Sequence, residues 1–128
     1  IGDKSFLKTY LKKKISNLEQ YNKKCKKKLF IYINYSGQDD IINSSKKIYF
    51  NKQKINKINF KNNLITNFLP NPDLLIRTGG YQRISDFMLY QLSFSELMFT
   101  KILWPNLKIS NIDKYIKKYS KIERKFGI

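Results

Sequence analysis

The sequence predicts an α/β fold, a largely parallel sheet flanked by helices. Three observations carry this expectation. Stretches with an apolar residue every three or four positions alternate along the chain with short apolar runs rich in β-branched and aromatic residues. The runs at 29–33 and 74–76 each end in a polar loop containing glycine, and ligands of layered α/β sheets bind at the carboxyl ends of strands. The chain has 128 residues, enough for one domain around one core.

In chain order, Asp3 or Ser5 is placed to cap a long first helix. Its apolar face is Leu7, Leu11, Ile15, Leu18, Tyr21 and Cys25, with lysines opposite. The basic cluster from Lys23 to Lys28 closes it, where positive charge suits the helix dipole, and reads as a solvated face. Residues 29–33 predict a buried strand running into Asn34-Tyr35-Ser36-Gly37. Asp39 and Asp40 open the next helix, as acids favoured at a helix start rather than as a metal pair. Residues 51–63 are almost entirely Lys, Asn and Ile, a loop with one short helix around 60–65. Pro70 and Pro72 mark a turn before the strand at 74–76.

The stretch from Asp73 to Pro105 organises the rest. The strand leads into Arg77-Thr-Gly79-Gly80-Tyr81-Gln-Arg83-Ile-Ser85, with Ser85 expected as N-cap of a helix over 86–99. Backbone N–H groups at a helix start favour an anion, and guanidinium grips phosphate through paired hydrogen bonds. The chain holds 26 lysines and arginines, of which only Arg77, Arg83 and Arg124 are arginine, so two arginines in one loop imply a need for guanidinium geometry there. The 86–99 helix is apolar almost all round, which predicts burial on more than one side and a partner subunit as the second cover. Glu96 is the one carboxylate between Phe87 and Phe99 and needs a partner, either a cation or a metal. A brief strand at 102–105 is stopped by Pro105. Ser110 and Asp113 then predict a capping box before a helix with the core stripe Ile112, Tyr115, Ile116, Tyr119 and Ile122.

Bulk properties exclude several classes. There is no histidine and one cysteine, which leaves no internal disulfide and makes a zinc site a poor fit. No apolar run approaches the roughly 20 residues of a membrane span, and no signal peptide is visible, so the expected location is cytoplasmic. The net charge of +17 suggests a nucleic-acid module, but the lysines are spread along helix faces and the aromatics fall on buried periodicities, so no nucleic-acid partner is expected.

Arg77-Thr-Gly-Gly80, then Arg83-Ile-Ser85, Ser95-Glu-Leu97 and Leu103-Trp-Pro105 together resemble the C-terminal half of the cis-prenyltransferases, nearest the undecaprenyl diphosphate synthase (isoprenyl transferase) type. Ile1-Gly-Asp3, Asn34-Tyr-Ser-Gly37 and Glu123-Arg-Lys-Phe-Gly127 extend the resemblance more weakly over most of the chain. It implies that residues 1–128 form a single-domain fragment, the C-terminal half of the catalytic domain, with the Asp-Gly-Asn-Gly-Arg phosphate loop and the catalytic groups in the other half.

The implied activity is cis-prenyl chain elongation: isopentenyl diphosphate condenses with an allylic diphosphate to give a polyprenyl diphosphate. Arg77, Arg83 and Ser85 would bind isopentenyl diphosphate, Glu96 would help position Mg2+, and Asn34, Gly79, Gly80 and Arg124 would assist. The resemblance also implies a homodimer through the 86–99 helix and, through the lipid product, peripheral contact with the inner face of a membrane. Ser36, Gly37 and Gln38 stand where the family has Gly-Gly-Arg, Tyr81 where it has an acid, Asp86 for Asn, Tyr90 for Trp, and Lys125 for an arginine. Alternative readings are a non-catalytic subunit of a heteromeric prenyltransferase, or the basic nucleic-acid module. The fragment alone is expected to be inactive.

Overall fold

A computed structural model describes residues 1–21 and 26–125. The chain divides into two compact units, 1–68 and 69–128.

The first unit holds α1 (Thr9–Tyr21), α2 (Gly37–Phe50) and α3 (Lys57–Asn63). The helix α1 starts later than either expected cap. Asp3 accepts both the Ser5 N–H (2.7 Å) and the Ser5 hydroxyl (2.8 Å), so the two capping candidates spend themselves on each other in a local turn. Lys4 ties this turn to α1 through Glu19 at 2.8 Å. Leu7, Leu11 and Ile15 are partly buried as the periodicity predicts, while Leu18 is exposed. Cys25 and the start of the basic cluster lie outside the described residues.

Residues 29–33 are extended but do not form the expected buried strand. The Ile1 amino group donates to the Ile31 carbonyl and the Ile33 N–H to the Ile1 carbonyl, both at 2.8 Å, the pattern of a parallel pair. The pairing stops there, because Asp3 N–H shifts to the Asn34 carbonyl (3.3 Å), where Asn34 has φ 47°. Leu29 and Ile31 are exposed at 85% and 63%. Gly2 is required at this contact. It has φ 103°, and a Cβ there would stand 2.2 Å from the Ile33 carbonyl oxygen.

The core of this unit lies where α2 meets α3. Ser36 caps α2 by accepting the Asp39 N–H at 3.0 Å, and Asp39 and Asp40 lie in the first turn as expected. Ser44 is fully buried, and its small side chain lets the helices approach and donates to the Phe60 carbonyl at 2.8 Å. Ile48 and Leu64 pack within the core. The short helix in the low-complexity stretch begins earlier than expected because Asn56 caps it, accepting the Asn59 N–H at 2.8 Å, and Leu64 already has extended backbone.

The second unit is built on a two-stranded parallel sheet of β1 (Leu74–Arg77) and β2 (Glu96–Phe99), with Leu74 opposite Glu96 and Arg77 opposite Phe99. The expected helix over 86–99 is absent. Residues 85–94 form consecutive turns, and Ser85, Asp86 and Met88 have φ of 48°, 63° and 47°. Two causes are visible. The Ser93 and Ser95 hydroxyls donate to the Tyr90 and Pro72 carbonyls, which offers the backbone an alternative to helix. Residues 96–99 find a parallel partner in β1. The expected burial survives the change of structure at Met88, Leu92 and Met98, but Phe94 and Leu97 are exposed.

A 3-10 turn at Trp104–Asn106 replaces the brief strand expected at 102–105, leaving Trp104 75% exposed. The last helix, α4 (Ile109–Tyr119), is capped two residues earlier than the Ser110–Asp113 box: Asn111 accepts the Lys108 N–H at 2.9 Å. Its predicted stripe is half realised, with Tyr115 and Tyr119 partly buried and Ile112 and Ile116 exposed.

Candidate functional site

At the carboxyl end of β1 the loop 77–85 folds back so that Arg77, Tyr81, Arg83 and Ser85 converge. Gly79 and Gly80 make this reversal with φ of 89° and 86°, values that a side chain would strain. Their N–H groups are not turned toward a ligand. Gly79 donates to the Ile102 carbonyl (2.9 Å) and Gly80 to the Thr100 carbonyl (2.8 Å), in the segment that follows β2. No helix starts at Ser85 either, and what meets there is a set of side chains.

Ser85 is the hinge of that site. Its hydroxyl oxygen accepts from Arg77 Nη1 at 2.8 Å and from Arg83 Nε at 3.3 Å, and Arg77 Nη1 also donates to the Arg83 carbonyl. A hydroxyl that accepts two N–H groups still has its own proton to donate. Among the described residues the Nη1 and Nη2 groups of Arg83, and Nη2 of Arg77, make no protein hydrogen bond, and neither arginine belongs to a salt bridge. The Tyr81 ring lies under both guanidiniums, with its centroid 4.4 Å from Arg83 Cζ and 5.6 Å from Arg77 Cζ. Two neighbouring positive groups with unspent planar N–H edges and a free hydroxyl proton suit a polyanion with several oxygens.

The other predicted residues lie elsewhere. Glu96 is opposite Leu74, three residues back along β1 from Arg77, which is about 10 Å at strand rise. Arg124 is also at that far end. It donates to Asp73 Oδ1 (2.5 Å), Tyr119 Oη (3.1 Å) and the Phe94 carbonyl (3.2 Å), and the hydrogen bond to Asp73 holds its guanidinium still more firmly protonated. It thus ties the chain after α4 to the entrance of β1. Asn34 belongs to the first unit, where it lines a cleft of about 460 Å3 with Gly2, Ser36, Asp39 and Lys46.

Among the described residues no group of three or more His, Cys, Asp or Glu side chains is placed to hold a metal ion. Glu96 is half-buried and in no ion pair among the described residues, and its carboxylate is of the oxygen-donor kind that Mg2+ takes. No helix of the described residues is long and apolar enough to cross a membrane.

Sequence reasoning missed two residues. Tyr81 stood out only as a departure from a family pattern, although an aromatic between two loop arginines is a cation–π signal. Asp40 is 6% exposed and accepts from Tyr35 Oη at 3.0 Å and from the Ile65 N–H at 2.8 Å. A helix-start acid carries no hint in the sequence that its partners lie so far along the chain.

Two arginines, a serine and a tyrosine thus meet in a loop at the end of a parallel strand in an α/β unit. The undecaprenyl diphosphate synthase family model matches residues 1–127, and the chain belongs to that family of prenyltransferases. It is 39% identical over 128 residues to an isoprenyl transferase of Fusobacterium nucleatum, covering 98% of this chain and 55% of that protein. It is 37% identical over 135 residues to an isoprenyl transferase of Chlamydia caviae, covering 99% and 54%. The crystal structure of lavandulyl diphosphate synthase from Lavandula x intermedia, in complex with dimethylallyl diphosphate, superposes with a TM-score of 0.88. That match has 35% identity and covers 98% of this chain and 57% of that one. The fold is therefore part of the cis-prenyltransferase fold. The chain spans about half the length of the curated relatives it matches.

Proposed function

We propose that this chain supplies the isopentenyl diphosphate site of a cis-prenyltransferase. In the reaction C4 of isopentenyl diphosphate attacks C1 of an allylic diphosphate, the allylic diphosphate group leaves and a proton is lost. The task of this chain is to hold the isopentenyl diphosphate so that its alkene end meets the allylic carbon. Arg83 and Arg77 grip the diphosphate oxygens through their free N–H edges, and Ser85 donates its proton to a third oxygen. Glu96 would furnish one oxygen ligand to a Mg2+ ion, and such an ion would supply positive charge to a departing diphosphate.

The observation that carries this reading is the Ser85 hydroxyl bridging two arginines whose outer N–H groups stay unspent. Since the chain spans about half the length of its relatives, the 128 residues by themselves are expected to bind isopentenyl diphosphate without turning it over. Calorimetric titration of isopentenyl diphosphate into the chain tests the site. Charge-assisted hydrogen bonds contribute about 1.5–3 kcal/mol each, so Arg77→Ala and Arg83→Ala should each weaken binding roughly tenfold or more, and Lys13→Ala should not. Equal affinity in all four proteins would overturn the assignment.

Association of two copies is part of the proposal. The 86–99 segment would present the exposed Phe94 and Leu97 rather than a helix. Sedimentation equilibrium of Phe94→Ser against the parent chain tests it, and an unchanged monomer–dimer balance would exclude that surface.

A further inference from the structure

Tyr81 follows the two positive-φ glycines, and its ring is half exposed, yet it touches both arginines of the clamp. Arg77 and Arg83 carry like charges, share one hydroxyl and are not ion-paired among the described residues. Something must hold two long, mutually repelling side chains in one place. The negative face of an aromatic ring attracts a guanidinium without occupying its in-plane N–H groups. A carboxylate at the same position would hold the arginines as well, but by taking up those N–H groups, and so would compete with an anionic ligand. The ring also covers one side of the guanidiniums with apolar surface, which strengthens their hydrogen bonds to a ligand on the open edge.

We propose that Tyr81 is a positioning residue of the diphosphate clamp, holding the guanidiniums of Arg77 and Arg83 ordered with their outer N–H edges free for diphosphate oxygens. This rests on the reading of the loop as a diphosphate site. Ordering long side chains before the ligand arrives removes that entropic cost from binding. The hydroxyl of Tyr81 has no part in this; the ring does the work.

The test is calorimetric titration of inorganic diphosphate into the 128-residue chain and its variants, at two ionic strengths. Tyr81→Leu removes the ring face and should weaken binding roughly fivefold, the scale of exposed cation–π contacts. Tyr81→Phe keeps the ring and should restore affinity to within about twofold of the parent. Tyr81→Glu should bind more weakly than Tyr81→Leu, because its carboxylate takes the clamp's donors. Tyr81 is neutral, so Tyr81→Leu should leave the salt dependence of binding unchanged, whereas Arg83→Ala should flatten it. In NMR spectra of the unliganded chain, the Arg83 Nε–H signal should move in Tyr81→Leu and not in Tyr81→Phe. A parent chain that fails to bind diphosphate overturns the site reading and this inference together. A parent that binds, loses affinity in Arg83→Ala and keeps it in Tyr81→Leu overturns the role of Tyr81 alone.

Discussion

Replacing Asp40 by alanine should loosen the first unit without touching the arginine loop. The Asp40 side chain is 6% exposed and accepts two hydrogen bonds, from Tyr35 Oη at 3.0 Å and from the Ile65 N–H at 2.8 Å. It thereby joins the first turn of α2 to the turn that follows α3. Alanine removes the acceptor of both these bonds, and a buried donor that loses its partner costs about 1–3 kcal/mol. Ile65 is 43% exposed, so water can serve its N–H in part, and the total loss expected is about 2–4 kcal/mol. At roughly 4–8 °C per kcal/mol for a unit of this size, the melting transition should fall by about 10 °C or more. Asp40→Asn keeps one acceptor oxygen and should lose about half as much. Asp39→Asn, one position away and exposed, should stay within about 0.5 kcal/mol. Far-UV circular dichroism gives the melting point, and amide exchange at Ile65 gives the local effect. An Asp40→Ala protein with parent stability and unchanged Ile65 exchange would refute the role of Asp40 as the link between these segments.

Gly2→Ala should release the pairing of Ile1 with residues 31–33, since its Cβ would meet the Ile33 carbonyl oxygen at 2.2 Å and the residue already sits at φ 103°. Faster amide exchange at Ile33 and a stability loss of about 1–3 kcal/mol are expected. Arg83→Lys should weaken isopentenyl diphosphate binding roughly tenfold despite conserving charge, because an ammonium cannot present the paired planar edge; calorimetry at fixed ionic strength decides it. Tyr32 should titrate above its ordinary value of 10, because burial and then the nearby Asp40 charge disfavour the phenolate. A phenol whose folded pKa is raised adds stability that is fully present below pH 10 and is lost as pH rises through the folded value. The ultraviolet titration of Tyr32 should therefore move back toward 10 in Asp40→Asn.

What the sequence made legible was chemistry and local pattern. The strand at 74–77, the reversal at Gly79-Gly80, the arginine pair with Ser85, and the acids opening α2 all follow from residue types at short spacing. What it concealed was non-local. Residues 86–99 are apolar enough for a buried helix or for turns and a strand, and only the partner β1, some twenty positions earlier, selects strand for 96–99. Residues 29–33 have strand composition, but burial depends on what packs against them, and composition does not say that. The Gly79 and Gly80 N–H groups are spent on the Ile102 and Thr100 carbonyls, another non-local pairing, so those two amides are not available to an anion. On the proposed reading, affinity comes from guanidinium and hydroxyl groups held by one ring and one shared oxygen. A site of that kind depends steeply on side-chain identity at 77, 81, 83 and 85. Changes at Thr78 and Gln82, whose side chains do not enter these contacts, should matter less.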